Sequence, residues 1–263
     1  MKNFIIAAVI SLTGLTGYAQ KTTVSASIDA ATEITSPSSL DFNVGVATSH
    51  LWRGLVINDG MTAMGFVHLA LDKNQNFTTG VWGGAGFDGE YREINYYVQY
   101  QKNNLSIALW NLFNTTGIET PMVFNYDKLT TTHIIDLRTS YRFPKAFPMR
   151  IEADVFLYTG KNDRELDVNN NYNSRYSTYV ELSYPLVENQ KVNVSLYVGG
   201  VFALNGSSNL YRADKSKDFG IVNTGFRLTK DISVLNYKLP VSATAMWNPA
   251  NKIARLQLAV SLF

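Results

Sequence analysis

The feature that most limits how this chain can fold is an alternation of apolar and polar residues with a period of two. The segment Leu40–Gly60 opens as LDFNVGVA, in which every second residue is apolar and the residues between are small or polar. Side chains of a strand point alternately to its two faces, so this pattern predicts a strand with one apolar face. We predict twelve such strands, the first within 40–60 ahead of a link at 55–60, and the others at 61–71, 76–87, 91–101, 104–113, 131–143, 149–159, 174–186, 191–204, 218–229, 235–247 and 253–263.

The connections between these segments are short and long in turn. Short links are predicted at 72–75, 102–103, 144–148, 187–190 and 230–234, and longer ones at 55–60, 84–90, 114–130, 160–173 and 205–217. A soluble β-sandwich has no reason to sort its loops in this way. The pattern therefore predicts an all-β fold, a single transmembrane antiparallel up-and-down β-barrel of about 12 strands, with short periplasmic turns and longer extracellular loops.

The N-terminus predicts export. Lys2, the apolar run Phe4–Leu12 and the small-x-small site Gly17-Tyr18-Ala19 are typical of a signal peptide over residues 1–19, and a short membrane anchor is the alternative. Residues 20–39 are predicted to be a flexible periplasmic segment, followed by an outer-membrane barrel over 40–263 in a Gram-negative cell. The chain has no cysteine, which excludes disulfides and thiolate chemistry, and its net charge of +2 does not point to nucleic acid.

Aromatic residues near the strand ends predict two girdles at the membrane interfaces, although ordinary strand aromatics would also explain any single one. Such a barrel would contact outer-membrane lipid, including lipopolysaccharide. Phe263 predicts recognition by the barrel-assembly machinery, but the apolar residues before it lie on the opposite parity, so the usual insertion signal is half met. The predicted girdle residues are Trp52, Tyr100, Tyr141, Phe143, Tyr176, Tyr184, Tyr237 and Trp247.

Two stretches resemble a known family. The segment Thr48–Gly54 (TSHLWRG) is similar to the "SDYxWRG" opening of the TorF-like porin family of bacterial outer-membrane proteins, with Ser49 and His50 where that family usually has Asp and Tyr. The segment Gly80–Tyr100 resembles a second, degenerate motif of that family. The resemblance covers about the first third of the barrel. It implies a barrel and a pore function, and it supplies no catalytic residue.

Charged residues predicted to face the barrel interior are the main candidates for a functional site. If the strands on either side of the 144–148 turn pair there, Arg138 lies opposite Asp154, with Glu181 as a neighbour. We predict an Arg138–Asp154–Glu181 ladder, either a selectivity element or an ion network that only stiffens the wall. The predicted pore-lining residues are Arg53, Glu93, Asp136, Arg138, Glu152, Asp154, Glu181, Arg227, Lys238 and Arg255.

Arg53 and Arg255 are predicted to meet where the first and last strands close the barrel, with Glu93 not far away. A basic mouth there would favour anionic solutes, whereas solvated rim arginines would have no such role. The sequence thus predicts a porin-like channel for small polar or anionic solutes, without cofactor, metal or catalytic residue.

Two alternatives remain open at this point. One is a barrel enzyme acting on membrane lipid through His133, which parity places on the lipid side together with His50, whereas His68 points inward. The other is a non-conducting surface-binding barrel whose lumen is plugged by Trp82, Trp110, Phe156 and Tyr179. The Asn/Asp-rich loop Asn162–Asn173 could supply calcium ligands, but it lacks the glycine and the closing Glu of an EF-hand, which favours a plain solvated loop.

Overall fold

The structure, a computed structural model, describes residues 40–214, 216–234 and 237–262. The described residues form sixteen strands and one short 3₁₀ helix (Lys161–Asp163). The predicted signal peptide 1–19, the lead-in 20–39 and Phe263 lie outside the described residues. The strands are β1 Leu40–Ala47, β2 His50–Trp52, β3 Leu55–Asn58, β4 Thr62–Ala70, β5 Phe77–Gly86, β6 Arg92–Lys102, β7 Leu105–Asn114, β8 His133–Arg142, β9 Arg150–Tyr158, β10 Arg164–Leu166, β11 Tyr172–Ser174, β12 Ser177–Glu188, β13 Asn193–Ala203, β14 Gly220–Val234, β15 Tyr237–Asn248 and β16 Ile253–Ser261.

Twelve of these strands form one closed antiparallel barrel, and the pairs β2–β3 and β10–β11 are separate small hairpins. The prediction of an up-and-down barrel of about twelve strands is therefore confirmed. Closure occurs between β1 and β16, where Val46 pairs with Val260, as predicted for the first and last strands. The side chain of Asn43 also hydrogen-bonds the Ser261 hydroxyl across this seam.

The alternation in the sequence becomes an apolar outer wall around a mixed interior. Outward residues such as Phe42 (58% exposed) and Val98 (46%) are uncovered, whereas inward ones such as Trp82 (3%) and Phe156 (1%) are buried. An apolar outer surface of this kind on a closed barrel is the surface of a membrane-spanning one. In the part of the chain that the structure describes, no helix has the length and hydropathy needed to cross a bilayer.

The connections emerge at two ends of the barrel. The long-loop end carries 48–61, 87–91, 115–132, 159–176, 204–219 and 249–252, and the short-turn end carries the rest. The last of these, 249–252, is as short as a turn, so the alternation of loop lengths is incomplete. The prediction of a turn at 230–234 was wrong, because β14 continues to Val234 and pairs there with Tyr237.

Candidate functional site

The first loop of the long-loop end, residues 48–61 (the lumen loop), enters the barrel instead of continuing the first strand. It leaves the wall at Thr48, whose backbone N–H donates to the Leu258 carbonyl at 3.0 Å and whose hydroxyl accepts from the Leu258 N–H at 3.0 Å. The Gln257 side chain then donates to the Ser49 carbonyl at 2.7 Å. These bonds to β16 end the strand and turn the chain inward. The prediction of a first strand that continues up to the link at 55–60 was wrong for this reason, since β1 ends at Ala47.

Beyond this turn the lumen loop crosses the barrel. The His50 ring lies 5.4 Å from the ring of Trp82 on β5, and the Trp52 ring lies 6.1 Å from that of Phe156 on β9. Trp52 also packs 5.8 Å from Tyr211, which comes from the loop 204–219. Because β5 and β9 are separated by three strands, the loop spans the space between distant parts of the wall. The placement of Trp52 in an outer girdle and of His50 on the lipid side was therefore wrong.

Arg53, at the tip of the lumen loop, forms the centre of the site. Its Nη2 lies 2.8 Å from the Asp136 carboxylate and 2.6 Å from the Asp154 carboxylate, and its Nη1 donates to the Tyr211 hydroxyl at 2.9 Å. The arginine side chain is 5% exposed and both carboxylates are fully buried. The guanidinium also lies over the Trp52 and Tyr179 rings, at 4.6 and 5.4 Å. A charge on a loop thus bridges two charges on the wall.

The ionic contacts continue along the wall from β8 to β14. Arg138 Nε lies 2.8 Å from Asp136, and Arg150 Nη1 lies 2.5 Å from Glu152. Glu181 accepts from the Tyr179 hydroxyl and from the Asn223 amide, the latter at 3.1 Å. With Arg227 on the same interior face, this central cluster holds four arginines and four carboxylates: Arg53, Arg138, Arg150, Arg227, Asp136, Glu152, Asp154 and Glu181. Its formal charges balance.

The predicted ladder is only partly present. Arg138 does lie opposite Asp154 in the β8–β9 register, as predicted. The residue opposite Asp154 on β12 is Tyr179, however, and Glu181 lies opposite Glu152. The nearest cation to Asp154 is Arg53, which the sequence placed elsewhere because the inward turn at Thr48 is not visible in the local pattern.

The predicted basic mouth is absent. Arg53 is buried against two carboxylates, and Arg255 forms a bidentate pair with Asp59 of the lumen loop, with both distances at 2.9 Å. The two arginines therefore do not lie side by side, and acidic partners neutralise both. Glu93 accepts hydrogen bonds from the Tyr91 hydroxyl at 3.0 Å and from the Asn95 and Asn114 amides.

The remaining predicted residues lie at the two ends of the barrel or on its inner face. Arg227 lies inside with its guanidinium 5.2 Å from the Tyr197 ring, and Lys238 is exposed near the short-turn end opposite Ser233. Outward aromatics cluster at the short-turn end, with ring contacts of 4.7 Å for Tyr100 with Phe77 and 5.2 Å for Tyr141 with Phe143. Tyr184 and Tyr237 share this end, while Tyr176 and Trp247 are exposed at the long-loop end.

The geometry gives no support to the enzyme or calcium alternatives. The His133 ring is fully buried, stacked 4.1 Å from Phe113 and 4.4 Å from Tyr126, with its Nδ1 2.7 Å from the Asn111 amide oxygen. The Asp167 carboxylate accepts hydrogen bonds from the backbone N–H groups of Asn171 and Asn169, at 2.9 and 2.8 Å, and these bonds lower its pKa. Within the described ranges, no three acidic or histidine side chains converge as a metal ion requires.

Sequence reasoning missed two members of the site. Arg150 has the same parity as Glu152 on β9. It could have been found by extending the inward row of that strand by two positions toward its start. Tyr211 lies in an irregular loop and carries no pattern that would place it beside Arg53.

Comparison with known proteins gives distant similarities only. No family model and no curated protein matches the sequence. Among solved structures, a NanC porin is 10% identical with a TM-score of 0.42, over 84% of this chain and 98% of the porin. An outer membrane channel from Pseudomonas putida F1 is 13% identical with a TM-score of 0.41, over 84% and 93% of the two chains. A Pseudomonas aeruginosa FadL homologue is 8% identical with a TM-score of 0.34, over 84% and 89%. The resemblance to the TorF-like family stays an expectation.

Proposed function

We propose that this barrel is a channel for small polar solutes in the bacterial outer membrane, and that the lumen loop is its gate. The observation that carries the proposal is the placement of Arg53, which a loop delivers to two fully buried carboxylates on the wall. If the residues inside the barrel served stability alone, apolar side chains would serve better, because buried ion pairs rarely recover their desolvation cost. Charged groups that pair in a closed state and hydrate in an open one suit a gated polar pathway.

The balance of charge in the central cluster bears on the solute. Because Arg53 and Arg255 are both paired with carboxylates, neither supports the anion preference that the sequence predicted. We therefore propose small polar solutes without strong preference for either sign.

A non-conducting barrel that binds a surface partner through its long loops is the second candidate. It is favoured by the burial of Trp82, Trp110, Phe156 and Tyr179 in the lumen, each 5% exposed or less. In that case the same residues would form a permanent core, and loosening the lumen loop would destabilise the barrel without opening a path.

Liposome swelling separates the two functions. The full chain and its Arg53→Ala variant are reconstituted in vesicles and diluted into small uncharged, anionic and cationic solutes of similar size. We expect swelling by the variant with all three solutes at similar rates, and slower swelling by the original chain. A folded variant that gives no swelling with any solute would exclude the channel and leave the surface-binding barrel.

A further inference from the structure

The loop 115–132, which joins β7 to β8, lies against the outside of the barrel wall. Its residue Tyr126 stacks 4.4 Å from the His133 ring and accepts a 2.7 Å hydrogen bond from the Asn111 side chain. The Tyr126 hydroxyl also bonds that of Tyr96, and the Tyr158 hydroxyl donates to the Tyr126 carbonyl. All four of these wall residues face outward: Tyr96, Asn111 and His133 by parity, and Tyr158 because a register shift places it opposite Ile135. The loop is thus fastened to the outer face of β6–β9.

The wall beneath this loop is unusual because it is polar where an apolar residue is expected. Asn111 continues the outward row of Leu105, Ile107 and Leu109, and His133 stands beside Phe113. An amide and an imidazole facing hydrocarbon without partners would be costly. Here Asn111 is 5% exposed and His133 fully buried, since Tyr126 covers both and satisfies the amide.

The opposite side of the same loop is apolar and uncovered. Phe124 is 91% exposed, Met122 63% and Val123 46%, and Leu129 adds further exposed apolar surface. Within the loop, the Asp127 carboxylate accepts from the Leu129 N–H at 2.9 Å and the Thr130 N–H at 3.2 Å, whereas the charged residues Glu119 and Lys128 are exposed on either side of the apolar stretch. The exposed segment continues an outer wall whose neighbouring residues, Ile94 (47%) and Leu109 (42%), are also bare.

We propose that Met122–Phe124 inserts into the acyl chains of the surrounding membrane, so that loop 115–132 forms part of the lipid-facing surface. Continuity with the apolar wall identifies the occupant as lipid, and the loop's inner face explains why it cannot lift into water without exposing His133 and Asn111. The loop therefore covers the polar part of the outer wall and presents its own apolar side chains to the lipid instead.

Site-directed fluorescence tests the proposal directly, because the chain contains no cysteine to interfere. Phe124→Cys is labelled with an environment-sensitive dye in phosphatidylcholine vesicles. The matched control is Val168→Cys, which is 99% exposed in another loop of the same end. We expect the label at 124 to be quenched severalfold more by brominated acyl chains than the label at 168, and several-fold less by aqueous iodide.

Two results would overturn the proposal. Equal quenching of both labels by iodide would mean that the loop stands in water. Protection of the 124 label from both quenchers would mean that protein covers it. If the protection then disappeared when the protein was diluted in lipid, the covering protein would be a second copy of the chain. Because the assay reads position and not conductance, its result is independent of whether the barrel is a channel.

Discussion

Replacing Arg53 by alanine should shift the barrel toward an open state by an amount that the buried ion pair sets. In the closed state the substitution leaves Asp136 and Asp154 buried without their shared cation. Asp136 keeps Arg138 at 2.8 Å, so the cost falls mainly on Asp154. Removing one partner of a buried pair costs about 3 to 5 kcal/mol, because an uncompensated charge remains out of water.

In an open state both carboxylates would be hydrated, so the same substitution costs little there. With each 1.4 kcal/mol worth roughly a factor of ten, even the low end of about 3 kcal/mol raises the ratio of open to closed molecules about 100-fold. Single-channel recording in planar bilayers measures this ratio as open probability.

The chain offers a matched control in Arg255. This arginine also joins the wall to the lumen loop, through Asp59, but the pair is 39% and 65% exposed. An exposed pair contributes roughly 0 to 1 kcal/mol, so Arg255→Ala should change the open ratio by no more than about fivefold. Equal effects of the two substitutions would show that the gate does not depend on the buried pair.

A rescue variant separates gating from misfolding. Adding Asp154→Asn to Arg53→Ala removes the uncompensated charge, so the closed state should recover and the open probability should fall again. If Arg53→Ala acted by damaging the barrel, the second substitution would not restore closure. A folded Arg53→Ala barrel with unchanged conductance would refute the reasoning as a whole.

Two further predictions concern Gly54 of the lumen loop and Asp163 of loop 159–176. Gly54 has φ +83°, and a Cβ atom there would lie 2.0 Å from the Val222 carbonyl oxygen, so Gly54→Ala should displace the loop and raise conductance. Gly89→Ala, at φ +80° with open space around it, is the control that should leave conductance unchanged. Burial raises the pKa of Asp163 above 3.8, although bonds from Ser177 oppose the shift. The protonated Asp163 carboxyl therefore stabilises the fold fully below pH 3.8, and this stabilisation is lost as pH rises through the raised pKa. When the unfolding temperature is plotted against pH from about pH 4 to pH 7, we expect it to fall less steeply in Asp163→Asn than in the original chain. An unchanged slope would contradict this.

The strands were predictable because each one must present an apolar face to its surroundings. This requirement makes apolar residues recur at every second position of the local sequence. The course of the lumen loop was not predictable in this way. Thr48 leaves the wall because it bonds Leu258, a residue more than two hundred positions away. The extension of β14 to Val234 was missed for a related reason, since polar residues such as Lys230 and Asp231 read as a turn but pair in register with Val241 and Pro240.

The two loops that sequence reasoning could not place share a physical logic. Asp136 and Asp154 are carboxylates at fully buried positions of the lumen wall, and the lumen loop brings them Arg53. Asn111 and His133 interrupt the apolar outer face, and loop 115–132 brings them Tyr126. In each case polar side chains at buried positions of the wall need partners that the wall itself does not supply in full, and one specific loop supplies them. For loop 115–132 this signal is present in the sequence, because Asn111 and His133 interrupt an apolar outward row. Asp136 and Asp154 follow the polar inward pattern, so nothing in the local sequence marks them as the place where the lumen loop packs.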